Sequence, residues 1–250
     1  MNLLLLTEMD LQTDGTFSIR GDRARESARI LQARGVSAFE GQVLRAGRAN
    51  VGPGEARVVS LRDGLLTVRF VPTGQEEASR LHLVLGIPRP KFLRRILPQI
   101  AAQGVGSIDL VRTWRTERTF LQSPLLQPEG HTPLLHEGMM QGGWTCVPSV
   151  RVHPRFEGFL ETIPHERDKW MGSLTGTGPP RLGRRDLVVA VGPERGFSDY
   201  ESERLLAAGF RPVRVPCGVM RTDTACVALL ALGALALNGC PSVDAMPGVR

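Results

Sequence analysis

The chain is poor in aromatic residues, 5% in all, with one tyrosine, and of its 31 basic side chains only Lys91 and Lys169 are lysine. It also lacks the roughly 20 consecutive apolar residues that a membrane-spanning helix requires. The longest candidate, Ala225 to Leu237, is too short and is broken by Gly233. The opening MNLLLLTEMD has no basic flank before its leucines and acids directly after them. It therefore reads as a first strand and not as an export signal. Four cysteines, Cys146, Cys217, Cys226 and Cys240, show neither C-x-x-C spacing nor a neighbouring histidine pair. That pattern excludes a zinc site and a disulfide framework, and it predicts reduced thiols in a cytoplasmic protein with no bound metal.

What remains is an ordinary globular composition, 42% hydrophobic and 22% charged, with a net charge of +6. The charge is uneven. Residues 81–130 carry seven basic and three acidic groups, which is four of the six excess charges. A basic stretch of this kind suits a phosphate backbone, although arginine-rich composition alone produces the same count. Up to residue 76 the apolar segments are short and punctuated: Leu3–Leu6, Phe17–Ile19, Gln42–Arg45, Ala56–Val59 and Leu65–Phe70. Asp14-Gly15, Gly52-Pro53-Gly54 and Asp63-Gly64 separate them as turn signals, and one helix is expected near Arg23–Ala33. This pattern predicts a small β-barrel over 1–76.

Beyond it the period changes. Apolar runs at Leu81–Leu85, Ser107–Val111, Lys169–Leu174, Leu187–Val191 and Pro212–Val215 alternate with helical stretches. Those stretches begin at Pro90, Leu125, Phe156, Asp199 and Thr224, and Val150 and Val152 form one further short strand. Alternation of this kind predicts an α/β domain with a mostly parallel sheet over 77–250.

In a parallel sheet, ligands bind beyond the carboxyl ends of the strands. Two loops stand out there. Val191-Gly-Pro-Glu-Arg-Gly-Phe197 follows a buried strand, and Ser198 with Glu201 forms a capping box for the next helix. The loop has neither the glycine spacing of a dinucleotide site nor that of a phosphate loop. Val215-Pro-Cys-Gly-Val-Met-Arg-Thr-Asp-Thr-Ala225 leads from the neighbouring strand into the last apolar helix. Thr222 or Asp223 suits an N-cap there. Arg221 does not, because a cation sits badly at the positive end of a helix.

The segments GPERGFSDYE (192–201) and RTDTACVALLAL (221–232) resemble the signature of the RsmE family, SPOUT methyltransferases that modify N3 of a uridine in 16S ribosomal RNA. LHLVLGIPRPKFLRRIL (81–97), GVGSIDLV (104–111) and RTFLQSPLLQPE (118–129) are similar to that family in the same order. GDRARESARILQ (21–32) and GEARVVSLRDG (54–64) resemble its PUA-like RNA-binding barrel more loosely. The resemblance implies a carboxy-terminal trefoil knot, an exception to the rule against threaded chains. It also implies a homodimer acting on 16S rRNA or the small ribosomal subunit, with S-adenosylmethionine bent into the knot. Cofactor contacts would come from Leu174 and Thr175, from Gly192, Pro193, Glu194 and Gly196, and from Val215, Cys217, Gly218, Met220, Arg221, Thr224 and Ala225.

The family loop commonly reads GPEGGF, and Arg195 stands at its middle glycine. A positive φ there would strain arginine by ~1 kcal/mol or more. Asp223 replaces a glutamate, and Gly142-Gly143 weakens a helix. Methyl transfer to N3 needs the base out of its pair, an aligned donor, and a group that takes the proton or stabilises the imide charge. The catalytic candidates are Arg221, for charge stabilisation, and Glu194 or Asp223, for the proton; either acid alternatively orients Arg221. Arg34, Arg89, Lys91, Arg112, Arg115, Arg118 and Arg195 are the candidates for RNA phosphates. Trp114 is either a stacking platform or core. Tyr200 reads as packing. The alternatives are a silent RNA-binding assembly protein on the same fold, or a SPOUT enzyme acting on tRNA or a ribose 2′-hydroxyl.

Overall fold

The computed structural model describes residues 2–35, 38–183 and 186–238. Cys240 and the remainder of 239–250 lie outside the described residues. The first sheet contains β1 (Leu4–Leu6), β2 (Phe17–Ile19), β3 (Val43–Arg48), β4 (Gly52–Arg62) and β5 (Leu65–Pro72), in the order β1-β3-β4-β5-β2. Only the β1–β3 pair is parallel. Helix α1 (Gly21–Ala33) sets Ala24 and Leu31 into a core with Leu4, Leu6, Phe17, Ile19, Val58, Leu66 and Val68.

The β4–β5 turn follows from its residues. Asp63 and Gly64 both take positive φ, 50° and 71°, as a two-residue hairpin turn demands. The Gly52-Pro53-Gly54 signal misleads. Those residues pair with Arg48, Gly47 and Ala46 inside the sheet, and Asn50, at φ 59°, takes the left-handed position of the preceding turn. Pro53 is tolerated because it stands at the start of its strand.

The second sheet holds β6 (Leu81–Gly86), β7 (Ser107–Val111), β8 (Ser149–His153), β9 (Asp168–Thr177), β10 (Leu187–Val191) and β11 (Arg211–Val213), in the order β11-β9-β10-β6-β7-β8. Every pair is parallel. β6, β7 and β10 are buried along their whole length, which is why they read as unbroken apolar runs. Period-two geometry sends Leu81, Leu83, Leu85, Leu187 and Val189 to one face. There they meet α2 (Pro90–Ala101), α3 (Pro128–Gly142) and α6 (Thr222–Asn238). Val84, Val188 and Ala190 face α4 (Phe156–Leu160) and α5 (Asp199–Ala207) instead.

Several boundaries differ from expectation. α3 starts at Pro128 and not at Leu125, because Pro124 and Pro128 each open a separate short turn or helix. The glycines at its end are structural. Gly142 lies where a Cβ would meet the Ala102 carbonyl oxygen at 2.2 Å, and Gly143 caps the helix at φ 79°. α6 begins at Thr222, so Thr222 and Asp223 sit in its first turn and neither is the N-cap. No helix among the described residues is long and apolar enough to cross a membrane.

The two sheets are joined through the last turn of α3 and the segment after it. The amides of Asn2 and Leu3 both donate to the Met140 carbonyl at 3.1 Å, and Asn50 N–H donates to the Thr145 carbonyl at 2.8 Å. Glu76 accepts from the amides of Thr145 and Cys146 and from the Thr145 hydroxyl.

Candidate active site

All six strands of the parallel sheet point the same way, so the loops that follow them gather at one end. β6 and β10 are neighbours whose chains leave in opposite directions, one toward β7 and the other toward β11. A switch of this kind opens a crevice at the strand tips. Beside it, over the tips of β9, β10 and β11, lies a cleft of about 500 Å³, lined by residues 172–174, 191–196, 213–215 and 217–220 and by the head of α6; β9 stands between β10 and β11, which the sequence reads as neighbours. Its size is that of a small-molecule site.

The loop after β10 is fixed from several sides. Gly196 takes φ 70° and donates its N–H to the Pro193 carbonyl at 2.7 Å. Arg195 is not among the positive-φ residues, so the expected strain does not arise; the left-handed turn falls on the glycine one position later. Gly86, at the tip of β6, lets Pro193 approach: a Cβ there would lie 2.4 Å from the Pro193 ring. Glu194 Oε1 accepts the Arg89 amide at 3.0 Å, which puts a carboxylate at the positive end of α2. The Ser198–Glu201 capping box is present. Glu201 also accepts the Trp114 amide at 2.6 Å, and the Arg115 guanidinium donates to the Arg195 carbonyl.

The β9 wall comes from a register shift. Pro212 faces Met171, but Val213 faces Thr177, so residues 172–176 bulge away from β11. The third wall, 214–221, is held by Arg214 N–H on the Thr177 carbonyl at 2.7 Å and by Cys217 N–H on the Val215 carbonyl at 2.8 Å. Among the described residues, the N–H groups of Gly218, Val219 and Met220 donate to no protein acceptor. A Cβ on Gly218 would meet nothing within 4 Å.

At the head of α6, Asp223 is buried and ion-paired with Arg95. Its Oδ1 lies 4.0 Å from Arg221 Nε and has no hydrogen-bond partner. The Arg221 and Arg95 guanidiniums lie over the Phe92 ring at 4.9 and 5.0 Å. Burial, with the Asp223 charge, pushes the Cys226 thiol well above its usual range.

Of the cofactor candidates, Leu174, Gly192, Pro193, Glu194, Gly196, Val215, Cys217, Gly218, Met220 and Ala225 line the cleft. Thr175, Arg221 and Thr224 stand next to lining residues without lining it themselves. Ser173 and Val219, inside the expected loops 173–176 and 215–221, line it too, whereas Gly172, Val213, Arg214, Thr222 and Leu229 were missed. For Thr222 and Leu229 a signal existed, because with Ala225 they fall at i, i+3 and i+7 on one helix face.

The RNA candidates divide. Arg195 lines the cleft, while Arg112 and Arg118 line a second one beside Trp114. Arg115 is bound to the Arg195 carbonyl, and Arg89 and Lys91 are exposed at the head of α2. Arg34 lies apart, past the end of α1, with its guanidinium on the Val43 carbonyl at 2.7 Å. Tyr200 is 54% exposed and lines the second cleft, so it is not packing.

The lining suits a small ligand that carries charges of both signs. It offers peptide donors that have no protein acceptor among the described residues, an apolar floor of Val191, Ala225 and Leu229, a carboxylate in Glu194 and guanidiniums in Arg195 and Arg214. Among the described residues there is no group of three or more histidine, cysteine, aspartate or glutamate side chains able to hold a metal.

Comparison with known proteins gives a consistent picture. A family described as an RNA methyltransferase domain matches residues 75–234. The chain is 32% identical over 246 residues to ribosomal RNA small subunit methyltransferase E of Treponema pallidum, covering 93% of this chain and 90% of that protein. It is 26% identical to ribosomal RNA small subunit methyltransferase E 1 of Borreliella burgdorferi, over 91% and 95% of the two chains. The fold is that of ribosomal RNA small subunit methyltransferase E from Neisseria gonorrhoeae bound to S-adenosylmethionine. That structure has TM-score 0.72, 19% identity, and coverage of 92% of this chain and 96% of that one. A putative methyltransferase from Legionella pneumophila in complex with S-adenosylmethionine has TM-score 0.69 and 18% identity, over 94% and 98% of the chains.

Proposed function

The chain belongs to the ribosomal RNA small subunit methyltransferase E family, and we propose that the methyl group it takes from S-adenosylmethionine goes to N3 of a uridine in 16S ribosomal RNA. One observation carries this reading. Three loops converge at the tips of β9, β10 and β11, beside the sheet's switch point, and one of them presents the N–H groups of 218–220 next to an arginine held at a helix head.

In this proposal the peptide N–H groups of 218–220 and the Gly192–Gly196 loop hold the cofactor, while Leu229 and Ala225 exclude water. When bound, S-adenosylmethionine supplies a methyl carbon made electrophilic by its sulfonium. The residues then have two tasks, alignment and management of the imide proton. Arg221 stabilises the charge that develops on the uracil oxygens, a role worth roughly 10²–10³ in rate for one donor. Phe92 and Asp223 hold its guanidinium in place. Glu194, exposed at the cleft with only Oε1 engaged among the described residues, takes the N3 proton.

The finer architecture belongs to the same proposal. Residues 77–250 form a SPOUT domain in which the 192–197 and 214–221 crossovers thread as a trefoil knot. Residues 1–76 form a PUA-like RNA-binding barrel, and two copies pair as a homodimer in the cytoplasm. Mass spectrometry of 16S rRNA from a strain lacking the protein tests the chemistry: one N3-methyluridine should vanish. Loss of a ribose methyl or of a tRNA methyl would overturn the assignment, as would an unchanged RNA.

A further inference from the structure

A second cleft of about 780 Å³ opens where the tips of β7 and β8 meet the start of α5. Arg112, Trp114, Arg118, Arg155 and Tyr200 line it. In a chain with three tryptophans, Trp114 is 86% exposed, whereas Trp170 is fully buried and Trp144 donates its indole N–H to the Ala102 carbonyl at 2.9 Å. The exposed indole does not ride on a loose loop. Its own amide is bound to Glu201, and the Arg112 amide donates to the His153 carbonyl at 2.9 Å. Thr116 Oγ1 accepts the Thr113 amide at 3.1 Å and donates to the Ile87 carbonyl at 3.2 Å. A bulky apolar ring exposed on an anchored backbone, lining one cleft with a second exposed ring, Tyr200, is a surface prepared for another flat ring.

The charge of the cleft selects the ligand. Among the described residues, Arg112, Arg118 and Arg155 have no ion-pair or side-chain hydrogen-bond partner. Of the two lining carboxylates, Glu201 is engaged by Ser198 and Trp114, which leaves Glu157 against three guanidiniums. Unpaired arginines around exposed aromatics suit single-stranded RNA, whose bases stack and whose phosphates carry the charge. Position points the same way. The stretch 192–201 lines both clefts: 192–196 borders the first, and Ser198, Tyr200 and Glu201 border the second.

We propose that this second cleft binds single-stranded RNA next to the target nucleotide, with a base stacked on Trp114 and phosphates on Arg112, Arg118 and Arg155. The proposal rests on the methyltransferase reading, since it places the flanking nucleotides of the same substrate. Its ligand is RNA and not an acidic protein segment, because a peptide would use the arginines and leave the two rings without a partner.

The test uses the full chain and a fluorescent single-stranded oligouridylate of about ten nucleotides, within the span that such sites cover. Trp114→Ala should weaken binding by roughly fivefold to a hundredfold, as loss of one stacked base does. Trp114→Phe should restore most of it. Arg155→Ala should lower the salt slope of log K by about 0.7, one phosphate contact on a single strand. Affinity for S-adenosylmethionine, measured in parallel by calorimetry, should stay within about twofold in each variant. RNA binding and a salt slope unchanged in both alanine variants, with normal cofactor affinity, would overturn the proposal. So would polyglutamate binding more tightly than the oligonucleotide and being lost in Trp114→Ala. Wild-type protein that fails to bind S-adenosylmethionine would instead sink the methyltransferase reading, and the RNA results would still judge this cleft.

Discussion

The main-chain nitrogen of Arg89 donates to Oε1 of Glu194 at 3.0 Å, so the loop leaving β6 and the loop leaving β10 are joined across the switch point of the sheet. This bond anchors one carboxylate oxygen and leaves Oε2 without a protein partner among the described residues. If Glu194 takes the N3 proton, Glu194→Gln should keep the loop closed and lower kcat by roughly 10²–10⁴. Affinity for S-adenosylmethionine, measured in parallel by calorimetry, should fall by less than kcat does, because Glu194 is one of many groups lining the cleft. A kcat within a few-fold of wild type would reduce Glu194 to a loop clamp.

Arg221 and Asp223 are separable by kinetics. Arg221→Ala should reduce kcat by about 10²–10³ and leave the melting temperature almost unmoved, since its side chain is largely exposed. Asp223→Asn should act through Arg95 and Arg221, lowering kcat less and lowering stability by about 1–3 kcal/mol, because Asp223 is buried beside a cation. Steady-state assays and urea melts on both variants check the pair. Equal activity of Arg221→Ala and wild type would remove Arg221 from the mechanism.

Two glycines make opposite predictions. Gly86→Ala would drive a Cβ into the Pro193 ring at 2.4 Å and the Pro193 nitrogen at 2.9 Å. Neither atom belongs to a flexible side chain, so overpacking should destabilise the fold by about 1–3 kcal/mol and displace the cofactor loop. Gly218→Ala meets no protein atom and should leave stability unchanged while weakening S-adenosylmethionine binding. Denaturant melts and calorimetry on the two proteins would show the contrast. Equal cofactor affinity in Gly218→Ala and wild type would remove Gly218 from the cofactor contact.

Acid stability should depend on Asp10. Burial by itself raises its carboxyl pKa. The ion pair with Arg23, at 2.7 and 2.8 Å, and the Thr7 amide and hydroxyl, each at 2.8 Å, outweigh burial and hold it below the ordinary 3.8. A lowered folded value stabilises the protein above the unfolded value, and the contribution fades as pH falls through the folded one. Asp10→Asn should therefore lose about 2 kcal/mol near neutrality and show a shallower decline below pH 3.8 than wild type. Melting curves from neutral pH down to about pH 2, the lower part of that window, would show this.

Much of the fold was legible because local chemistry and burial agree. Leu81–Leu85 and Leu187–Val191 read as buried parallel strands, and that is what they are. Asp63-Gly64 read as a turn because both residues tolerate positive φ. The errors came where a residue's role is set by distant neighbours. Gly52-Pro53-Gly54 has turn composition yet lies in a ladder, because all three pair with β3 and Gly54 also pairs with Pro72 of β5. Tyr200 sits in a helix start, but no element covers it.

The chain alone determined the two-part pattern of strands, the capped turn of GPERGF and the basic excess of the middle segment, because each is written in periodicity or residue type within a few positions. The tertiary structure alone decided that Arg95 pairs with Asp223 across 128 positions, that Gly86 yields to Pro193, and that the N–H groups of 218–220 find no protein acceptor among the described residues. These follow from which strands lie side by side, and adjacency in a parallel sheet is set by long crossovers whose end points no local spacing encodes.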